Sequence, residues 1–198
     1  MVAAAAILVC ASVFFAIWRI DLVAPQYPEG LGLLIRAHTI DGLKEGDLQS
    51  INGLNHYIGM REIRPESMPE LRFMRPLFIG LGLVGLGAAA IGRRWALVAW
   101  LSLFGLVMLG GLADMWKWGY DYGHNLDPNA IIKVPGMTYQ PPLIGSKQLL
   151  NFRAVSWPAI GGWMLALAGL LAAGALAADA GWRLPWTSRT DDKPRTTS

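Results

Sequence analysis

Residues 114–157 read DMWKWGYDYGHNLDPNAIIKVPGMTYQPPLIGSKQLLNFRAVSW, and how this stretch is read decides the fold expected of the chain. It lies between two strongly apolar segments, which makes it a connection held at a membrane surface. It carries seven aromatic residues (Trp116, Trp118, Tyr120, Tyr122, Tyr139, Phe152 and Trp157), together with His124, Met137 and turn points at Asp127-Pro128, Pro135-Gly136 and Pro141-Pro142. A connection this long without regular structure is uncommon, and is usually functional or disordered. Disordered segments are poor in aromatics. The stretch is therefore expected to be an ordered cap.

The rest of the chain agrees with a membrane setting. Of its 198 residues 54% are hydrophobic and only 16% charged, and the mean hydropathy is +0.37, a balance that fits an integral membrane protein. Four apolar segments are expected to span the bilayer as helices: 1–20, 67–92, 95–113 and 158–180. Residues 1–18 form an uninterrupted apolar run. It is read as a retained anchor rather than a signal peptide, because no basic residue precedes it and Trp18-Arg19 follows. The missing basic start agrees with a chain that begins further upstream. Ser67-Met68-Pro69-Glu70 has the form of a capping box that would start the second helix, and Pro76 is expected to kink it. Arg93-Arg94 makes a tight turn into the third segment. The fourth begins after Ser156, with Pro158 early in the helix. Small residues four apart (Gly85/Ala89, Ala88/Gly92, Gly162/Ala166, Gly169/Ala173) allow close helix approach. The expected fold class is thus an all-α integral membrane protein, with four transmembrane helices and an ordered cap built from loops 21–66 and 114–157.

Within the first loop, LGLLIRAHTI (31–40) has the character of a short strand. EGDLQSINGLNHYIGM (45–60) reads as a short amphipathic helix ending near Asn55 or His56. The positive-inside rule puts the Arg93-Arg94 turn and the basic tail 181–198 (Arg183, Arg189, Lys193, Arg195) in the cytoplasm, so both termini are expected there and both loops outside. Trp18, Trp95, Trp116, Trp118, Trp157, Trp182 and Trp186 stand where interfacial belts belong. The expected location is the inner, cytoplasmic membrane.

Several chemistries are excluded. A formal charge of +3 without a basic, aromatic-interleaved patch gives no nucleic-acid signature. One cysteine, Cys10, permits no intramolecular disulfide. The apolar stretches of the spans (1–18, 77–92, 95–113 and 161–178) contain only Ser12 and Ser102 as polar candidates, which argues against transport. They contain no histidine to ligate a haem. No nucleophile and base, phosphate-cradling loop or zinc motif appears; the only place for a catalytic set is the outer cap, where Asp121 and Asp127 are acid/base candidates, although Asp127-Pro128 also suits a turn.

What remains is a metal-ligand set. His38, His56 and His124 all fall in the two loops. His56 and Met60 are four apart, and His124 and Met137 each stand beside a turn. Imidazole with thioether suits copper, and thioether favours Cu(I). The expected metal ligands are therefore His56, Met60, His124 and Met137, with copper as the tentative metal. The competing reading is that the histidines hydrogen-bond inside the cap while the methionines pack.

The segments INGLNHYIGM (51–60) and GYDYGHNLDPNAIIKVPGMTYQPPLIGSKQLLNF (119–152) resemble a family of uncharacterised four-span membrane proteins associated with the NosL copper chaperone and nitrous oxide reductase maturation. The resemblance covers both loops and the span layout. It implies copper delivery, or assembly of a copper enzyme, outside the cytoplasm, with a membrane or periplasmic protein as partner besides the bilayer. It supplies no ligand set. The outer loops hold no cysteine, which leaves only His and Met for a Cu(I) site. The alternative is a structural, non-catalytic subunit of a larger respiratory or monooxygenase complex.

Overall fold

The computed structural model describes residues 1–149 and 151–179. The basic tail 181–198, with Trp182 and Trp186, lies outside the described residues. The chain runs α1 (Val2–Ser12), β1 (Ala16–Ala24), β2 (Tyr27–Arg36), β3 (Ile40–Gly42), α2 (Asp47–Ile58), α3 (Glu70–Ile91), α4 (Arg94–His124), β4 (Gly145–Leu149), β5 (Phe152–Pro158) and α5 (Ile160–Asp179). The five strands form one antiparallel sheet in the order β3-β2-β1-β5-β4. The all-α, four-span expectation is therefore wrong on both counts.

The error begins in the first apolar run. From Trp18 the residues alternate: Trp18, Ile20 and Ala24 are buried, whereas Arg19 and Val23 point outward. Period-two alternation is the signature of a half-buried strand, so the apolar run stops being helical where the alternation starts. The helix before it has 11 residues, about 16 Å, roughly half of a hydrocarbon core. It ends as the Ser12 hydroxyl donates to the Val9 carbonyl at 2.7 Å. Among the described residues three helices are long and apolar enough to cross a membrane: Glu70–Ile91, Arg94–His124 and Ile160–Asp179. Their outward faces are apolar and unburied, with Leu83, Leu106, Leu109 and Leu170 each more than half exposed. Helices that are apolar all round need an apolar surrounding.

α1 wedges between α3 and α5 because both present glycines to it. A Cβ on Gly82 would strike Cys10 Sγ, and one on Gly161 would come 3.0 Å from the Ser12 carbonyl oxygen. Ala5, Ala6, Val9 and Ser12 are fully buried there. Trp100, 1% exposed, fills the centre of the bundle and donates its Nε1–H to the Leu81 carbonyl at 2.9 Å. Gly85 makes the room: a Cβ there would lie 2.6 Å from the indole ring. Of the small residues spaced four apart, Gly85, Ala88 and Gly169 are thus used inside the bundle, whereas Gly92, Ala166 and Ala173 stay exposed. Between α3 and α4, Gly92 at φ 62 closes the helix and Arg93 is extended. The far ends of α4 and α5 meet through Arg94 and Asp179 at 3.9 Å.

Two local expectations also change. Ser67 does not cap α3. Its hydroxyl donates back to Arg64 within a 3-10 turn at Pro65–Ser67, and α3 starts at Glu70 after Pro69. Ser156 starts no helix. It sits in β5 opposite Ile20, where its Oγ accepts from Trp18 Nε1 at 2.8 Å and donates to the Leu143 carbonyl at 3.0 Å. Trp18 is accordingly a buried sheet residue and not part of an interfacial belt.

The sheet joins the two halves of the chain. β1 follows α1 and β5 leads into α5, and these two strands pair from Trp18↔Pro158 to Val23↔Arg153. The sheet is therefore mounted on the bundle at the ends of α1 and α5. One of its faces carries Trp18, Ile20, Leu31 and Leu33 into a second core with Ile51, Ile63, Met68 and Leu71. α2 covers this face. α4 also reaches it, because the helix continues eleven residues past the expected end at Ala113. Leu112, Met115, Trp118 and Tyr122 pack on the second core, at helical spacing. Residues 114–157 are thus a helix end, an irregular segment and a β-hairpin rather than one long loop.

Candidate functional site

The nominated ligands lie where three segments meet. α2 ends at Gly59, whose φ of 79 is a left-handed helix cap that glycine adopts without strain. Asp127 N–H donates to the Gly59 carbonyl at 2.8 Å, and Ile132 N–H to the Tyr57 carbonyl at 2.9 Å. Gly59 is also required by space, since a Cβ there would come 2.8 Å from Ala130 Cβ. On the other side, Tyr139 N–H donates to the Gly123 carbonyl at 3.0 Å. These three backbone bonds hold the segments bearing His56 and Met60, His124, and Met137 side by side.

The four side chains differ in setting. His56 is exposed on α2, with its ring edge-on to Tyr57 at 6.2 Å. Met60 is half-buried and lines an internal chamber. His124, the last residue of α4, stacks on Tyr120 at 3.9 Å, and Tyr120 stacks on Trp116 at 5.5 Å. His124 Nδ1 lies 3.0 Å from the Tyr120 carbonyl oxygen. A carbonyl only accepts, so Nδ1 carries the proton and Nε2 keeps its lone pair. That is the arrangement by which a backbone carbonyl orients a metal-binding imidazole. Met137 is half-buried after the turn in which its N–H donates to Val134 at 3.1 Å. His38 stands apart, exposed between β2 and β3 next to Ala37, which packs in the bundle core. Among the described residues no three His, Cys, Asp or Glu side chains cluster closely enough to hold a metal.

Sequence reading missed what lies beneath. A chamber of about 60 Å³ sits between the sheet, α2 and the end of α4. Ile20 and Leu33 of the sheet, Ile51 and Ile58 of α2, and Trp118 and Tyr122 of α4 form much of its wall, which Tyr139 and Phe152 complete. Trp118 lies tilted against Tyr122 at 4.6 Å, and Tyr139 stacks on Phe152 at 6.4 Å. The Tyr122 hydroxyl donates to the Glu62 carbonyl at 3.3 Å. The buried Tyr139 hydroxyl has no hydrogen-bond partner, and buried Trp118 Nε1 has only a poorly formed one in Tyr122. Such a buried orphan costs roughly 1–3 kcal/mol. Burial also pushes the Tyr139 phenol above its ordinary range, because the charged form is the one that loses hydration. The 3.6-residue spacing of Leu112, Met115, Trp118 and Tyr122 was the available signal for this wall.

Compared with known proteins, the chain matches no protein-family profile, no curated protein sequence and no solved structure.

Proposed function

We propose that this chain is a membrane-anchored copper-handling factor, serving assembly of a copper enzyme on the extracytoplasmic side of the cytoplasmic membrane. Copper is its cargo, and His56, Met60, His124 and Met137 are the residues that hold it. The observation that carries the reading is the backbone pinning of their three segments, Gly59 to Asp127, Tyr57 to Ile132 and Gly123 to Tyr139. The free Nε2 of His124 and the exposed His56 ring supply imidazole donors, and the thioethers match Cu(I). The resemblance of 51–60 and 119–152 to proteins associated with NosL points the same way. Sidedness rests on the Arg93-Arg94 turn, which the positive-inside rule assigns to the cytoplasm. The sheet and α2 then face outward, where a membrane or periplasmic protein would receive the metal. The rival reading, a purely structural subunit, is weakened because Gly85 and Gly169 pack on Trp100 and Phe104 of the same chain rather than lying open to a partner helix.

The test is metal content of the full-length protein after loading with Cu(I) under reducing conditions. Near-stoichiometric copper that drops in both His56→Ala and His124→Ala is the expected result. A wild-type protein that retains no copper would overturn the proposal and return the histidines to a structural role.

A further inference from the structure

The chamber beneath the nominated ligands, whose wall includes Met60, has the chemistry of a second site. Native structures pair nearly all buried polar groups, yet Tyr139 is 2% exposed with an unpartnered hydroxyl, and Trp118 Nε1 on the same wall has only a poorly formed hydrogen bond to Tyr122. Both are donors, the indole N–H exclusively so. A complementary ligand therefore brings an acceptor. It is also uncharged, because the lining contains no Asp, Glu, Lys, Arg or His. A water needs roughly 10–15 Å³ of free space, so 60 Å³ holds about four waters or about one six-membered ring. The aromatic pairs Trp118–Tyr122 and Tyr139–Phe152 offer flat surfaces to such a ring. The buried Tyr139 phenol keeps its proton through and beyond the neutral range, so it remains a donor.

We propose that this chamber binds a neutral, ring-sized apolar molecule carrying a carbonyl oxygen, which accepts a hydrogen bond from Tyr139 with Trp118 as the second donor on the wall. Met60 lines the chamber as well, but neither hydrogen-bond donor is a nominated copper ligand, so the test is run on the copper-free protein.

The experiment uses the full-length, copper-free protein in detergent, labelled with ¹⁵N-tryptophan. The Trp118 indole resonance is assigned by its loss in Trp118→Phe. Cyclohexanone is titrated against methylcyclohexane, which has a similar shape and no acceptor. The expected result is a saturable Trp118 shift with cyclohexanone, at least several-fold tighter than with methylcyclohexane. The affinity falls about three- to tenfold in Tyr139→Phe, the effect of one neutral hydrogen bond. Unchanged resonances from the other tryptophans certify that this variant is folded. Leu54→Phe, which fills the chamber, gives a second reading and should abolish the shift. Absence of saturable ketone binding, equal binding of methylcyclohexane, unchanged affinity in folded Tyr139→Phe, or retained binding in Leu54→Phe would each overturn the proposal.

Discussion

Gly119 and Gly123 stand one turn apart on α4, and the same substitution at each should have opposite consequences. A Cβ on Gly119 meets nothing closer than 3.9 Å, from Gln140 and Pro141, which is ordinary contact. Gly119→Ala should therefore keep the helix-propensity gain of about 0.8–1.0 kcal/mol. A Cβ on Gly123 would fall 2.5 Å from Gln140 Cα and against the backbone nitrogen of the same residue. Backbone does not step aside as a flexible side chain does. Overpacking of this kind costs roughly 1–3 kcal/mol, and pushing the segment away also breaks the Tyr139 to Gly123 hydrogen bond, worth about 1 kcal/mol. Allowing for the smaller propensity gain at a helix end, Gly123→Ala should lose about 2 kcal/mol, leaving the two variants roughly 3 kcal/mol apart. Guanidinium unfolding of the cap, followed by tryptophan fluorescence in detergent, measures the difference. Hydrogen exchange localises it: the Tyr139 amide should exchange about 30-fold faster in Gly123→Ala and no faster in Gly119→Ala. If residues 114–124 were an irregular loop, the two variants would behave alike. Equal effects of the same sign would refute both the continuous helix and the docking of residues 137–141 on it.

Ser156→Ala strands the buried Trp18 Nε1–H and should cost about 1–3 kcal/mol. In a double-mutant cycle with Trp18→Phe the combined loss should be clearly less than the sum of the two. Gly85→Ala should weaken the bundle by about 1–3 kcal/mol through its clash with Trp100, whereas Gly87→Ala, which faces open space, should not; detergent denaturation separates them. Tyr139 has a pH signature. Its folded pKa is raised above the ordinary 10.0, so below pH 10 both states are neutral and its contribution is fully present. As pH rises through 10 the unfolded chain releases this proton first, and stability falls toward the folded pKa. Tyr139→Phe should lack that component of the alkaline loss, read as the difference between the two stability-versus-pH curves.

The three long helices were legible because each sustains its apolar run over many turns, and Gly92-Arg93-Arg94 marked the reversal between two of them. The sheet was concealed by the same measure. Residues 1–18 count as one apolar run, and only alternation counted from Trp18 through Ile20 and Leu22 separates strand from helix. The end of α4 was lost because the apolar run stops at Ala113, whereas the helix continues to His124 through Gly119 and Gly123. Gly123 leaves the room in which the Gln140 backbone packs against the helix, a reason that no local pattern contains. Pairing such as Ile20↔Ser156 joins residues from opposite ends of the chain, beyond any periodicity argument. The nominated site shares this character. His56, Met60, His124 and Met137 were chosen by donor chemistry alone, and bonds between distant segments bring their backbones together. Tyr139 was legible only as one aromatic among several, because an orphaned hydroxyl exists only once its surroundings are in place.

The central claim is that two imidazoles and two thioethers hold copper at this junction. X-ray absorption at the copper edge of the Cu(I)-loaded full-length protein tests it most directly. The account predicts a mixed nitrogen and sulfur shell, with the sulfur contribution reduced in Met60→Leu and Met137→Leu and the nitrogen contribution reduced in His56→Ala and His124→Ala. A shell without sulfur, or one that these four substitutions leave unchanged, would contradict it.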